Sequence, residues 1–322
     1  MNTPKVRQIK ATLKSGRRIN VPYWSLDSGT PGPCFLITAA QHGNEVQGIE
    51  AIRRFIDLAG NRMKAGKIVT VPFVNLPAVW DRRPHIRMGP EQPYSDDRGH
   101  NMNRTWPGRK SGNATAQLSQ AIYSAVGDEA THVLDIHCWQ KYHTPAVLIR
   151  NTPELRALAL KIGHPFVHPG AAVDFTISGY FCSTGRIGVT YECAGQYTVE
   201  EREVEMCLSV ITNMAKAIGV LQGRPTKPKA PVIFSDEAKK SNVIAPHTGL
   251  FVQAGQRVCD RVKKGDLLGH ILSDANLRTT RILAPAAGYL ETYGASRADC
   301  DVAMPGHHPY VSKGDRLAII AY

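Results

Sequence analysis

The hydrophobic pattern changes period part-way along the chain, and this change limits the folds open to it. As far as Leu221, short apolar runs of strand length alternate with apolar positions at helical spacing. Pro33 to Ala40 (PCFLITAA) reads as a strand cut off by polar Gln41 to Asn44. Val46, Ile49, Ile52, Phe55 and Ile56 then recur at helical spacing, with Gly60 as a stop. Lys67 to Asn75 reads as a strand, although Pro72 weakens it. A polar loop from about Leu76 to Gly112 follows, and loops of that length in compact domains are usually functional or disordered. A helix over Ala114 to Val126, strands at His132 to Ile136, Ala146 to Arg150 and Ile187 to Glu192, and a helix towards Leu221 opened by a Thr198/Glu201 capping box complete this part. Such alternation implies an α/β fold, a mainly parallel sheet with helices on both faces.

After Leu221 the pattern is different. Gln222 to Pro231 (QGRPTKPKAP) has linker composition. Beyond it, Ala245-Pro246-His247-Thr248-Gly249 leads to Val262-Lys263-Lys264-Gly265-Asp266, and Ala284-Pro285-Ala286-Ala287-Gly288 leads to Val311-Ser312-Lys313-Gly314-Asp315. Two copies of a strand, a turn and a Gly-Asp hairpin predict a small all-β domain with internal pseudo-symmetry. The expected division is 1–225 for the α/β domain and 226–322 for the β domain. The repeat resembles barrel-sandwich modules of the lipoyl and biotinyl type. Lys264 lacks a carrier's modification motif, so the module is expected to cap a pocket rather than to swing.

Composition excludes several classes. Of 322 residues, 43% are hydrophobic and 20% charged, which is ordinary globular usage rather than disorder or collagen. No apolar stretch nears the roughly 20 residues that span a bilayer, so no membrane role is expected. The N-terminus has no apolar run behind its basic residues and does not read as a secretory signal. Seven cysteines without a CxxC suggest reduced thiols and a cytoplasmic setting. A net charge of +12 favours anionic substrates or a polyanion. Aromatic residues are not interleaved with the basic ones, so nucleic acid is not an expected partner.

The residues that could carry chemistry sit at strand ends, where open α/β sheets bind ligands. His42-Gly43-Asn44-Glu45 follows the first apolar strand, and His137 ends Val133-Leu134-Asp135-Ile136-His137. His42, Glu45 and His137 together suit a catalytic zinc, which takes three protein ligands and keeps one position open. The alternative for each is a polar loop residue. Cys138 should face away from His137, because neighbours on a strand point to opposite faces. Asn101-Met102-Asn103-Arg104 offers a planar guanidinium fork and an amide for a carboxylate, inside a segment that also holds Arg82, Arg83, Arg87 and Arg98. The rival reading is a solvated basic surface. Glu192, at the end of its strand, is placed either for proton transfer near a metal or for a structural pairing with an Arg.

In order along the chain, HGNE, NxNR followed by Pro107-Gly108, DIH and a strand-end Glu resemble the succinylglutamate desuccinylase/aspartoacylase family of the zinc carboxypeptidase clan. Any one motif is weak; the four in order are specific, and with the two-domain plan the resemblance covers nearly the whole chain. It implies a carboxypeptidase-like α/β domain and a β domain that narrows the pocket mouth. It further implies one zinc per chain on His42, Glu45 and His137, a substrate carboxylate held by Asn103 and Arg104, and Glu192 as general base and acid. A family Arg polarises the scissile carbonyl. The segment before NxNR departs from the usual pattern, leaving Arg87 and Arg98 as rivals, with Arg87 preferred and Arg98 assigned to substrate binding. Met102 stands where Leu is more familiar. His307, His308 or Tyr310 of the β domain is a candidate to reach the pocket.

The implied activity is removal of a small acyl group, acetyl or succinyl, from an N-acylated amino acid. The alternative is carboxypeptidase-like cleavage of short peptides, and a non-enzymatic binding protein is a third reading disfavoured by the complete ligand set. A homo-oligomer is compatible with the sequence. His164-Pro165-Phe166-Val167-His168 has the spacing of a helical metal pair but lacks the Glu of HExxH, so no metal is expected there.

Overall fold

The computed structural model describes residues 3–89, 92, 97–170, 173–228, 230–296 and 309–322. Cys34–Ala39 (β3) is buried along its whole length, as an apolar run with no polar alternation requires when both faces of a sheet are covered. It lies between Lys67–Val71 (β4) and His132–Trp139 (β5), parallel to both. β4 stops before Pro72, which has no N–H to give the ladder. β5 runs past Ile136 and so carries His137 within a strand. The other members are Lys5–Thr12 (β1), Arg18–Asp27 (β2), Ala146–Ile149 (β6), Phe166–Pro169 (β7), Ile187–Ala194 (β8) and Ile233–Phe234 (β9). Among the described residues they form a nine-stranded mixed sheet in the order β1-β2-β4-β3-β5-β8-β6-β7-β9.

Helices cover both faces. Gln47–Ala59 (α1), Pro153–Ile162 (α4) and Glu201–Ala217 (α6) are on one side, sharing a core that includes Phe55, Ile56, Leu158 and Met214. Ala114–Ile122 (α3) and Ile177–Ser183 (α5) pack on the other, around Leu36, Leu118 and Phe181. Leu76–Asp81 (α2) is a helix where the sequence reads as loop: Pro77 occupies its first turn, a place proline favours. A short 3-10 turn, Met102–Arg104, also breaks that loop. The expected Thr198/Glu201 capping box does not form. α6 starts at Glu201 with Glu200 as its N-cap and no side-chain cap; the Glu201 carboxylate accepts from Arg54 on α1 instead, at 2.6 and 2.8 Å. His168 lies in β7, so His164 and His168 are not a helical pair.

From Lys240 onward the regular elements among the described residues are all strands. Lys240–Ile244 (β10), Gly249–Gln253 (β11), Arg261–Val262 (β12), Leu267–Leu272 (β13), Thr279–Leu283 (β14), Gly288–Ser296 (β15), Tyr310–Val311 (β16) and Arg316–Ala321 (β17) make two four-stranded sheets, β10-β17-β15-β12 and β14-β13-β11-β16. They enclose a core of Phe251, Leu268, Ile271, Leu290, Leu317 and Ile320, among others. The repeat is visible in the bonding. Asp266 Oδ2 accepts the Lys263 N–H at 2.8 Å, and Asp315 Oδ2 accepts the Ser312 N–H at 2.7 Å. Each turn bonds to the other copy: Gly265 N–H donates to Ala284 O at 2.8 Å, and Gly314 N–H to Ala245 O at 2.9 Å. β15 joins this unit to the α/β sheet just beyond β5, where Thr144 N–H donates to Glu291 O and Tyr293 N–H to Tyr142 O.

Candidate metal centre

The turn after β3 is shaped by what crowds it. Ala40 leaves the strand with a left-handed φ of 56°, and its carbonyl accepts the Asn75 N–H at 3.1 Å. Gly43 follows His42 at a point where a Cβ would lie 2.2 Å from the backbone of Ala78 and 2.5 Å from the Arg83 carbonyl, so only glycine fits. The Glu45 N–H returns to His42 O at 3.1 Å. This tight turn puts both side chains over the C-terminal end of the sheet.

There His42, Glu45 and His137 meet, all buried, with one potential ligand atom from each within 4.8 Å of the others. His42 Nδ1 is 2.9 Å from Glu45 Oε1, and His137 Nδ1 is 2.8 Å from Glu45 Oε2. The Nε2 atoms face outward onto acceptors: Asp135 Oδ2 at 2.8 Å from His137, and Asn101 Oδ1 at 3.1 Å from His42. An imidazole that donates through Nε2 presents the Nδ1 lone pair, and such outer partners are what orient metal-binding histidines. Asp135 is itself fixed by Thr38 Oγ1 at 2.7 Å and Gln41 Nε2 at 2.5 Å, and Gln41 Oε1 accepts the Trp106 indole N–H at 2.7 Å. His85 packs edge-on against His42 at 5.3 Å between centroids.

The electrostatics favour a cation. Burial alone would lower the pKa of His137, but the Asp135 and Glu45 carboxylates overcome it and hold the imidazole well above its ordinary value. Burial would raise Glu45, yet His42 and His137 keep it far below the usual carboxylate range. The two carboxylates thus favour positive charge at this point, as a bound cation would supply. Two buried imidazoles and a buried carboxylate are a zinc-type donor set, and these residues fit such an ion.

Glu192 on β8 is paired in parallel register with His137, so the two side chains share a face of the sheet. Among the described residues it makes no ion pair, and its buried Oε2 has no hydrogen-bond partner. Burial pushes its pKa up to about 8; His137 opposes that shift, while Glu45 and Asp135 add to it. The structural Arg partner considered above is therefore not found. Cys138 points to the opposite face, into the core beneath α1 and α6.

The arginine segment is arranged differently. Asn103 N–H donates to Asn101 Oδ1 at 3.0 Å, placing the NMNR turn one residue away from His42, and the buried Asn103 Oδ1 has no partner. Arg104 is exposed; its Nη1 donates to the Asn103 carbonyl at 2.7 Å, and it lines a crevice of about 360 Å³ with Trp106, Arg109 and Phe175. Arg87 and Arg98 are exposed at left-handed φ of 64° and 48°. After burial, the Arg87 charge is the next cause lowering the pKa of His100. The contacts described for Arg87 and Arg104 lie away from the three-ligand cluster. Tyr310 is exposed on β16 and gives its hydroxyl to Asp274, so it is not directed at the centre. His307 and His308 lie outside the described residues. His164 Nδ1 accepts the Phe166 N–H at 3.1 Å and burial drives its pKa to about 4, a neutral core histidine.

Sequence reasoning passed over Asp135, Asn101 and Gln41. Asp135 was within reach, since two residues before His137 on a strand means the same face. Asn101 and Gln41 carry no such signal, because their role depends on how the long segment folds back.

A His/Glu/His cluster at the C-terminal edge of a mixed sheet wrapped by helices marks a carboxypeptidase-like α/β protein. A family model of the succinylglutamate desuccinylase/aspartoacylase catalytic domain matches residues 31–218, and the chain belongs to that family. It is 25% identical over 301 residues to the N-alpha-acetyl-L-2,4-diaminobutyric acid deacetylase of Halomonas elongata, covering 90% of this chain and 82% of that one. The crystal structure of a succinylglutamate desuccinylase/aspartoacylase from Rhodobacter sphaeroides superposes with a TM-score of 0.67 at 20% identity, over 100% of this chain and 96% of that one. A metallo-carboxypeptidase from Burkholderia cenocepacia matches at a TM-score of 0.52 and 15% identity, over 67% and 65% of the two chains.

Proposed function

We propose that this protein is a zinc-dependent amidohydrolase that removes a small acyl group, acetyl or succinyl, from an N-acylated amino acid. The observation that carries this reading is the buried Glu192 carboxyl, with Oε2 unpartnered, on the strand next to His137 and beside three converging ligand atoms. The H. elongata relative, named for deacetylating an N-acetylated diamino acid, supports the substrate class.

His42, Glu45 and His137 would hold one zinc, which when bound supplies a Lewis acid and acidifies water. Asp135 and Asn101 keep the two imidazoles in the ligating tautomer. Glu192 accepts a proton from the attacking water and delivers it to the departing amine, work that suits a carboxyl whose pKa is raised towards neutrality. Asn103 and Arg104, with Arg98 beside them, hold the substrate carboxylate, and Arg87 stabilises negative charge on the carbonyl oxygen. Those arginines must swing inward when substrate arrives. Residues 1–225 would form the hydrolase and 226–322 its cap, with β9 a strap back onto the hydrolase sheet. All six described cysteines are free, which supports a cytoplasmic setting, and among the described residues no helix is long and apolar enough to cross a membrane.

The test is hydrolysis of acetyl, succinyl and formyl amino acids beside a dipeptide panel, before and after metal removal. Turnover of an N-acyl amino acid that is lost with chelation and regained with zinc is the expected result. Preference for dipeptides would move the protein to the carboxypeptidase reading, and full activity in metal-free protein would end the metal proposal.

A further inference from the structure

The segment from Ala194, the last residue of β8, to Glu200 has no part in the chemistry above, yet it grips the turn that bears His42 and Glu45. Gln47 Nε2 donates to the Ala194 and Gly195 carbonyls at 2.5 and 2.7 Å. The Tyr197 N–H donates to Asn44 O at 2.8 Å, from a residue at a left-handed φ of 59°. Between these anchors Gln196 turns its amide inward. Its Nε2 donates to Cys138 O at 2.9 Å and to Glu45 Oε1 at 3.3 Å.

We propose that Gln196 is a positioning residue for the metal ligand Glu45, holding its carboxylate in the ligating orientation. Without metal, Oε1 faces His42 Nδ1 and Gln196 Nε2, while Oε2 faces His137 Nδ1 and the Cys138 N–H at 3.2 Å. Once both Nδ1 atoms become ligands they can no longer donate. The donors that stay include Gln196 Nε2 on one oxygen and the Cys138 N–H on the other. Because Cys138 also accepts from Gln196 through its carbonyl, the three groups close a ring that fixes the carboxylate plane. A neutral amide does this without the cationic charge that a lysine or arginine would set against the metal.

This inference rests on the reading that the cluster holds a metal, and the test separates the two. Zinc affinity is measured by competition with a chromophoric chelator for the wild-type protein and for Gln196→Met, which keeps the volume and removes the donor. The thermal melt of each metal-free protein is recorded alongside. Zinc affinity should fall about 10–100-fold in the variant, the usual cost of losing an outer partner of a ligand. If the Met variant does not fold, Gln196→Ala is titrated in its place, with the same expectation. Unchanged zinc affinity, whatever happens to the melting temperature, would overturn the role and leave Gln196 a purely structural residue. A wild-type protein that takes up no zinc would instead overturn the metal reading itself.

Discussion

The two halves of the candidate site are built to different standards. On the sheet side, His42, Glu45, His137, Asp135 and Glu192 are buried, and the first four are held to one another or to their neighbours by hydrogen bonds. On the loop side, Arg87, Arg98 and Arg104 are exposed, and Arg104 is occupied by its neighbour's carbonyl. The difference follows from what each half must do. A metal pocket must exist before its ion arrives, because ligands of the wrong orientation cost affinity. A carboxylate clamp can form around its ligand, with substrate supplying the counter-charge that makes burying a guanidinium worthwhile.

Four substitutions or conditions sharpen that contrast. Glu192→Gln keeps the shape and removes the proton acceptor, so kcat should fall by roughly 10²–10⁴ with zinc content unchanged by elemental analysis. Near wild-type kcat would place Glu192 outside the reaction. Arg104→Ala should act mainly on KM, because the clamp holds ground and transition states alike. Loss of a charge-assisted bidentate contact costs about 2–4 kcal/mol, and steady-state kinetics showing an unaltered KM would mean that Arg104 does not close on substrate. Asp135→Asn should weaken zinc binding about 10–100-fold, read by chelator competition, since the sheet side depends on its outer partners. The smallest effect is on stability. In metal-free protein, the raised pKa of Glu192 means that its neutral form is favoured on folding. That contribution is complete below the unfolded carboxyl value of about 4.5 and is lost as pH rises through about 8. Raised His137 acts in the same direction, being lost as pH climbs through its elevated value. Denaturant melts should therefore show stability declining between those limits by on the order of 1 kcal/mol per pH unit, and Glu192→Gln should flatten the slope.

The sheet side was also the more legible half. Cys34–Ala39 is an unbroken apolar run ending in His42 and Glu45, and His137 and Glu192 repeat that placement on two further strands, so motif order alone brings them to one edge. β1 and β2 were not legible, because β1 is an edge strand whose first four residues are all exposed and leave little alternation to detect. α2 was hidden by the proline that starts it. The Thr198/Glu201 box is overridden from a distance, since Arg54 on α1 takes the Glu201 carboxylate. Gln196 had no signal at all: its partners are 58 and 151 residues away in sequence.

The exchange of bonds between the two Gly-Asp turns of the β unit has a historical consequence. Gly265 closes on Ala284 and Gly314 closes on Ala245, so each copy completes the other rather than itself. Two separate half-length chains related by a two-fold axis would make the same pair of contacts. The arrangement is thus that of a symmetric dimer fused into a single polypeptide, in which removing either copy would leave the other's turn without its partner. Once joined, the halves were free to diverge. Both now touch the hydrolase domain, but by different means: the second through β15, and the first through Val258 and Asp260, which accept from Arg202.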